Sequence, residues 1–383
     1  MMNFINRQNR FVLIAIAAIA LLILPLILQQ GGNAWVRIAD AALLYVLLAL
    51  GLNIVVGYAG LLDLGYVAFY AIGAYLFGLL ASPHLTDHFP WIAAMFPQGL
   101  HLPLWIVIPA AAALAGIFGI LLGAPTLKLR GDYLAIVTLG FGEIIRVFLN
   151  NLDQPVNITN GPKGLNQIDS IHFFNQNLGR PVELFGFEIA SVSLYYYLFL
   201  ALVLFSVLIC FRLERSRIGR AWMAIREDEI AAKAMGINTR NLKLLAFGMG
   251  ATFGGVSGSM FAAFQNFVSP ESFSLMESVM IVAMVVLGGI GHLPGVILGA
   301  VLLSALPEVL RYVAGPLQQM TDGRLDSAIL RQLLIALAMI IVMLMRPRGL
   351  WPTPDHGKSL QQKPAAVPPP EAVVEVAASG AAH

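Results

Sequence analysis

Asn53, Asp63, Glu143, Arg146, Gln265, Asn266 and Glu308 are polar side chains set in long apolar runs. A polar group in a bilayer is costly unless it faces protein or water, so each is a candidate for a gate, a pathway or a packing contact. Glu143 and Arg146 stand three residues apart, which lets them pair on one helix face. That structural pairing is favoured over a transport role, with gate control as the alternative. Glu308 follows Pro307, which points to a helix break near one end of its run. These acids form no chain along which protons could pass, which weakens an ion-coupled secondary transporter. No catalytic pair recurs at one depth, which weakens an intramembrane enzyme.

Other chemistry is excluded on motifs. The pattern GxxxxGK(S/T) is absent, so ATP is not bound through a P-loop. There is no HExxH, and His84, His88, His101, His172 and His292 show no metal-ligand spacing. Gly248-Met249-Gly250 resembles the start of a dinucleotide fingerprint, but it lies in an apolar run with no preceding strand. Asn157-Ile158-Thr159 has the form of a glycosylation acceptor, a triplet common by chance. One cysteine, Cys210, permits neither an internal disulfide nor a thiolate zinc site.

Composition shows where these residues sit. The 383 residues are 58% hydrophobic and 11% charged, with a net charge of +2. Soluble domains carry about 25% charged residues. A nucleic-acid binder needs a concentrated basic face, and none exists here. The chain reads as an all-α, polytopic membrane protein with about ten transmembrane helices, since a span needs roughly 20 mainly apolar residues. The segments are 11–28, 39–56, 62–81, 103–123, 132–149, 191–211, 244–264, 275–290, 294–312 and 327–345. Segments 62–81 and 275–290 carry an acid near the start (Asp63, Glu277) and are marked by glycine, so either can be broken or re-entrant. The first segment follows Arg7 and Arg10 as a signal peptide would, but no small-x-small cleavage site follows Leu28, so it is read as a retained helix.

With both termini in the cytoplasm, sixteen Lys and Arg fall on the inside and five outside, as the positive-inside rule requires. Residues 1–38 then form an N-terminal segment with the first helix. Residues 39–352 form the transmembrane domain, with an outer loop at 150–190 and a basic inner loop at 212–243. Residues 353–383, rich in Pro, Ala and Val, read as a disordered cytoplasmic tail.

The inner loop is the most informative stretch. Ala221 to Met235 reads as one short helix stopped by Gly236. Trp222, Ile225 and Ala232 fall near one face, while Arg226, Glu227 and Lys233 can stay wet. The helix either docks on a cytoplasmic partner or lies on the anionic inner leaflet beside Arg215, Arg217 and Arg220. Ala231 and Ala232, with Gly236 close behind, favour docking, because small side chains let a partner approach the backbone. Glycines recur at four-residue spacing at Gly119/Gly123, Gly250/Gly254/Gly258 and Gly291/Gly295/Gly299. Such spacing serves close helix packing, with sliding during gating as the functional alternative.

Several long motifs then occur in order. Leu50 to Gly65 (LGLNIVVGYAGLLDLG), Arg130 to Arg146 (RGDYLAIVTLGFGEIIR), Thr159 to Leu165 (TNGPKGL), Gly219 to Asn238 and Gly254 to Gly299 together resemble the permeases of branched-chain amino acid ABC importers, LivM type. The resemblance covers about residues 40–350. It implies the ABC importer permease fold, and a chain that pairs with a second, homologous permease to form the pathway. It implies two cytoplasmic ATPase subunits that hold ATP and Mg, so that this chain binds no cofactor and is not itself an enzyme. It also implies a periplasmic binding protein that delivers leucine, isoleucine or valine to the permeases in the bacterial inner membrane. Residues 221–236 correspond to the helix that couples to an ATPase, with Trp222, Arg226, Glu229, Ala231, Ala232 and Gly236 as its candidate residues. Ala231, Ala232 and Gly236 match the family pattern there, and Glu229 is shifted from the usual acidic place. Asn53, Gly57, Gly60, Glu143, Arg146, Gly250, Gly254 and Gly258 are the candidates for helix packing or gating. Close relatives move urea, short amides or other amino acids, and these are the alternative cargoes.

Overall fold

The computed structural model describes residues 7–96, 100–127, 129, 131–173, 176–184, 187–320, 327–346 and 349–351. The tail at 353–383, Lys128, Arg130, Arg324 and Arg348 lie outside the described residues. The apolar runs fold as helices because a backbone with no water to bond must satisfy itself internally. In order these are α1 (Arg7–Gln30), α2 (Asn33–Leu52), α3 (Val67–Leu80), α4 (His84–His88), α5 (Pro90–Met95), α6 (Leu104–Thr126) and α7 (Asp132–Asn151). They continue as α8 (Ser191–Glu214), α9 (Arg217–Glu227), α10 (Glu229–Ala234), α11 (Thr239–Gln265), α12 (Leu275–Gly288), α13 (Leu293–Met320) and α14 (Ser327–Met345). Helix α2 runs on as a π-helical stretch, Asn53–Tyr58. Two short antiparallel hairpins, His172–Phe173 with Gln176–Asn177 and Val182–Leu184 with Phe187–Ile189, are confined to the loop between α7 and α8.

All ten predicted segments contain a helix. By length and composition, five helices among the described residues are suited to cross a membrane: Asn33–Tyr58, Leu104–Thr126, Ser191–Glu214, Thr239–Gln265 and Leu293–Leu310. Helices α3 and α12 are shorter. Their 14 residues each span about 21 Å at about 1.5 Å per residue, less than the roughly 30 Å of a hydrocarbon core. The predicted segment 62–81 is therefore broken. Residues 59–66 are non-helical, and Ala59, Leu61, Asp63, Gly65 and Tyr66 are buried in protein. Asp63 Oδ1 accepts from the Gly65 amide at 2.9 Å, and the Leu64 amide donates to Thr138 Oγ1 at 3.0 Å. These bonds supply partners that a lipid-exposed loop would lack.

Helix α11 is the centre of the bundle, with α2, α3 and α6 around it. Its contacts are made backbone to backbone. A Cβ at Gly250 would overlap Val55, one at Gly254 would fall 2.9 Å from Phe69 Cβ, and one at Gly258 would overlap the Tyr70 carbonyl of α3. Gly119 and Gly123 of α6 meet Phe247 and Ala251 from the other side. Polar bonds tie the same crossings: Tyr66 Oη donates to the Gly250 carbonyl at 2.9 Å, and Ser259 Oγ to the Gly73 carbonyl at 3.1 Å. Gly295 and Gly299 pack α13 on Gly288 and Met284 of α12. Gly291 belongs to the turn between them, with φ of +81°, so it is not part of a helical glycine stripe.

Candidate functional site

The loop after α8 is built for rigidity. Ser216 caps α9 by accepting from the Gly219 amide at 3.0 Å. Trp222 is fully buried and donates its ring N–H to the Leu242 carbonyl at 2.7 Å, anchoring α9 to the first turn of α11. Ile225 and Ala232 are buried beside it. The single helix expected over 221–235 is in fact two helices. Asp228 is extended (φ −155°) and its side chain accepts from the amides of Ile230 and Ala231 at 2.8 and 3.0 Å. An aspartate that caps the next helix ends the previous one. Gly236, at φ +83°, closes α10 as expected of a C-terminal glycine. Glu229 pairs with the buried Lys243 at 2.7 Å, tying α10 to α11.

Arg226, an exposed residue, reaches from this platform across to the end of the bundle. Its Nη1 donates to the Gly57 carbonyl at 2.5 Å. Gly57 lies in the last turn of the α2–π helix, where carbonyls lack helical partners and the dipole is negative. The neighbouring Asn53 Oδ1 accepts from the Gly291 amide at 2.9 Å, so the turn between α12 and α13 is bound to the same helix end. Three glycines make room. A Cβ at Gly60 would lie 2.8 Å from Arg226 Cγ, one at Gly291 would lie 2.7 Å from Arg226 Nη1, and one at Gly57 would overlap Asn53 Oδ1. Gly60 and Gly291 also need their positive φ, +69° and +81°. Asn53, Gly57, Gly60 and Arg226 thus meet at one point, although they come from separate parts of the sequence.

The remaining candidates lie elsewhere. Gly250, Gly254 and Gly258 form the helix crossings described above. Glu143 and Arg146 pair as their spacing allows, at 2.5 Å. Arg146 also meets Glu271, at 3.3 Å, from the turn Pro270–Phe273. Sequence reading missed Glu271, which is distant in the chain. It also missed Ile230 and Met235, which are 71% and 83% exposed and place apolar surface on the outside of α10. Their signal was present: two large apolar residues in a short, otherwise polar and small-residue stretch. Ala232 itself points into the chain's own core, whereas Ala231 and Gly236 are exposed.

A Cβ at Gly236 would meet nothing, so the cost of a side chain there is backbone strain alone. Gly236→Val is expected to disturb the end of α10 by about 1–2 kcal/mol, and Gly236→Asn to be tolerated. The recovery of each variant as monodisperse, detergent-solubilised protein checks this. Equal recovery with Val and Asn would show that the left-handed turn is dispensable.

Apolar membrane-length helices around a glycine-packed centre, with a structured polar loop at one end, define a multi-pass membrane protein. Residues 34–343 match the family described as branched-chain amino acid transport system / permease component, and the chain belongs to that family. It is 41% identical over 350 residues to the "High-affinity branched-chain amino acid transport system permease protein LivM" of Escherichia coli strain K12, covering 87% of this chain and 74% of the relative. It is 26% identical over 349 residues to a probable LivM of Methanocaldococcus jannaschii, covering 85% and 93%. It is also 25% identical over 320 residues to LivH, the permease protein of the same kind of system in Escherichia coli K12, covering 82% and 93%. No solved structure matches the chain.

Proposed function

We propose that this chain is one of two homologous permease subunits of an ATP-driven importer for leucine, isoleucine and valine in the bacterial inner membrane. The observation that carries the reading is the 41% identity to LivM over most of the chain. One bacterium holds both a LivM and a LivH relative, which supports a pathway formed between two unlike copies of this fold. In this reading all ten segments cross, α3 and α12 as short helices enclosed by protein, and both termini are inside, so the 215–238 loop faces the cytoplasm and the Pro270–Phe273 turn faces outside. A periplasmic binding protein supplies selectivity, and ATP and Mg are held by two ATPase subunits.

In this reading Ile230, Ala231, Met235 and Gly236 present a small apolar surface to an ATPase subunit. Exposed apolar residues outside the membrane serve a partner or a lipid surface. Trp222 and the Glu229–Lys243 pair keep α9, α10 and the start of α11 together, so a push on α10 moves one block. Arg226 carries that movement to the end of the α2–π helix, and Asn53 carries it on to the α12–α13 turn. The glycine crossings hold α11 against α3 and α6 while this end moves.

The test is uptake of labelled leucine into proteoliposomes holding this chain, its neighbouring permease, both ATPases and the binding protein. ATP-dependent uptake competed by isoleucine and valine, but not by urea, is expected. ATP hydrolysis stimulated by the binding protein without leucine uptake would keep the importer and replace the cargo with urea, a short amide or another amino acid.

A further inference from the structure

Arg146 is shared by two carboxylates at the outer end of α7. Its Nη2 and Nε lie 2.5 and 3.0 Å from Glu143 Oε1, and its Nη1 lies 3.3 Å from Glu271 Oε1. The three side chains are open, at 27% exposed for Arg146, 43% for Glu143 and 70% for Glu271. The face of α7 around Glu143 is uncovered as well. Tyr133, Ile136, Ile144, Val147 and Phe148 are between 49% and 73% exposed. A Cβ at Gly140, midway along this face, would meet nothing. Helix α7 carries Asp132, Glu143 and Arg146 in its 20 residues, more charge than a helix ringed by lipid holds. A lipid-facing surface does not carry an open carboxylate and guanidinium. This face therefore looks onto water or protein.

We propose that Glu143, Arg146 and Glu271 form an exchange site for zwitterionic α-amino acids entering the pathway. The proposal deepens the importer reading and rests on it. A free α-amino acid carries an ammonium and a carboxylate one carbon apart, and the cluster holds the complementary pair on adjacent helical turns. Arg146 exchanges the Glu143 carboxylate for that of the substrate, which suits the planar fork of its guanidinium. Glu143, released, accepts the substrate ammonium. Glu271 keeps Arg146 in place during the exchange. An ion pair this exposed is weak enough to open, and a zwitterion leaves the net charge of the cluster unchanged. Ile144, Val147 and Phe148 supply the apolar bed for an aliphatic side chain. A step of this kind lets substrate leave the binding protein without a tight site in the permease.

The experiment uses the complete importer in proteoliposomes, with saturating leucine-loaded binding protein. Glu143→Gln with Arg146→Gln removes both charges of the close pair and leaves only the exposed Glu271 without its partner. Leucine uptake is expected to fall at least ten-fold, while ATP hydrolysis stimulated by the binding protein stays within two-fold, and Arg146→Lys recovers part of the uptake. Glu271→Gln lies outside the helix and leaves its fold alone; uptake there is expected to fall about three-fold with normal stimulation. If the double variant does not assemble, Glu271→Gln decides. Wild-type uptake in either variant overturns the exchange site. Loss of uptake and stimulation together in an assembled complex also overturns it, and assigns the cluster to holding the binding protein. A wild-type complex that moves no amino acid overturns the importer reading, and that control tells the two failures apart.

Discussion

Arg226→Gln is expected to leave the chain in the membrane and bound to its ATPase subunits, yet to cut ATP-driven uptake at least ten-fold. The guanidinium joins the 215–238 loop to the end of the α2–π helix through the Gly57 carbonyl at 2.5 Å. A hydrogen bond from a charged donor is worth about 1.5–3 kcal/mol, and each 1.4 kcal/mol or so is about a factor of ten. The change does not touch Trp222 or the Glu229–Lys243 pair, so the loop keeps its fold. Arg226→Lys keeps the charge but loses the fork, and an intermediate rate is expected. Uptake is compared with ATP hydrolysis in the same vesicles: hydrolysis without matching uptake marks the broken link. Full uptake by Arg226→Gln would remove Arg226 from the coupling.

Gly258→Val is expected to reduce folded protein to less than a third of its normal level, the largest stability effect among the glycines named above. The new side chain falls on the Tyr70 carbonyl and lies 2.6 Å from the Ala74 amide, both backbone atoms of α3. Backbone cannot rotate away as a side chain can. Overpacking of a core costs about 1–3 kcal/mol and more when a helix must shift. Gly140→Ala, which meets nothing, serves as the control and is expected to reach the normal level. Size-exclusion profiles of the detergent-solubilised protein report the outcome. A normal profile for Gly258→Val would show that α11 and α3 are free to separate there, as sliding faces require.

The apolar runs were legible because lipid imposes one local solution on a long hydrophobic segment. The broken segment 62–81 was legible as a doubt, from Asp63 and its glycines, but its helix starts only at Val67. The split of the helix expected over 221–235 was missed although Asp228 is a capping residue type. The helical propensity of its neighbours hid a local competition that the Asp228 side chain wins. Asn53, Gly57, Gly60 and Arg226 were each picked out as candidates, but their meeting was not. The contact between Arg226 and Gly57 joins residues 169 positions apart, and no periodicity encodes such a contact. Arg146 shows the same limit: its partner three residues away could be named, and Glu271, 125 residues away, could not.

In the proposed mechanism the 215–238 loop, the end of the α2–π helix and the α12–α13 turn move as one block. Spin labels at Glu227 on α9 and Pro294 at the start of α13, both exposed, test it by pulsed electron resonance in the assembled importer. Cys210, the sequence's only cysteine, is replaced by alanine for this purpose. The distance between the labels is expected to stay constant between the nucleotide-free and ATP-bound states, and to broaden in Arg226→Gln. A distance that changes with ATP in the otherwise unaltered protein would show that the loop and the α12–α13 turn move separately.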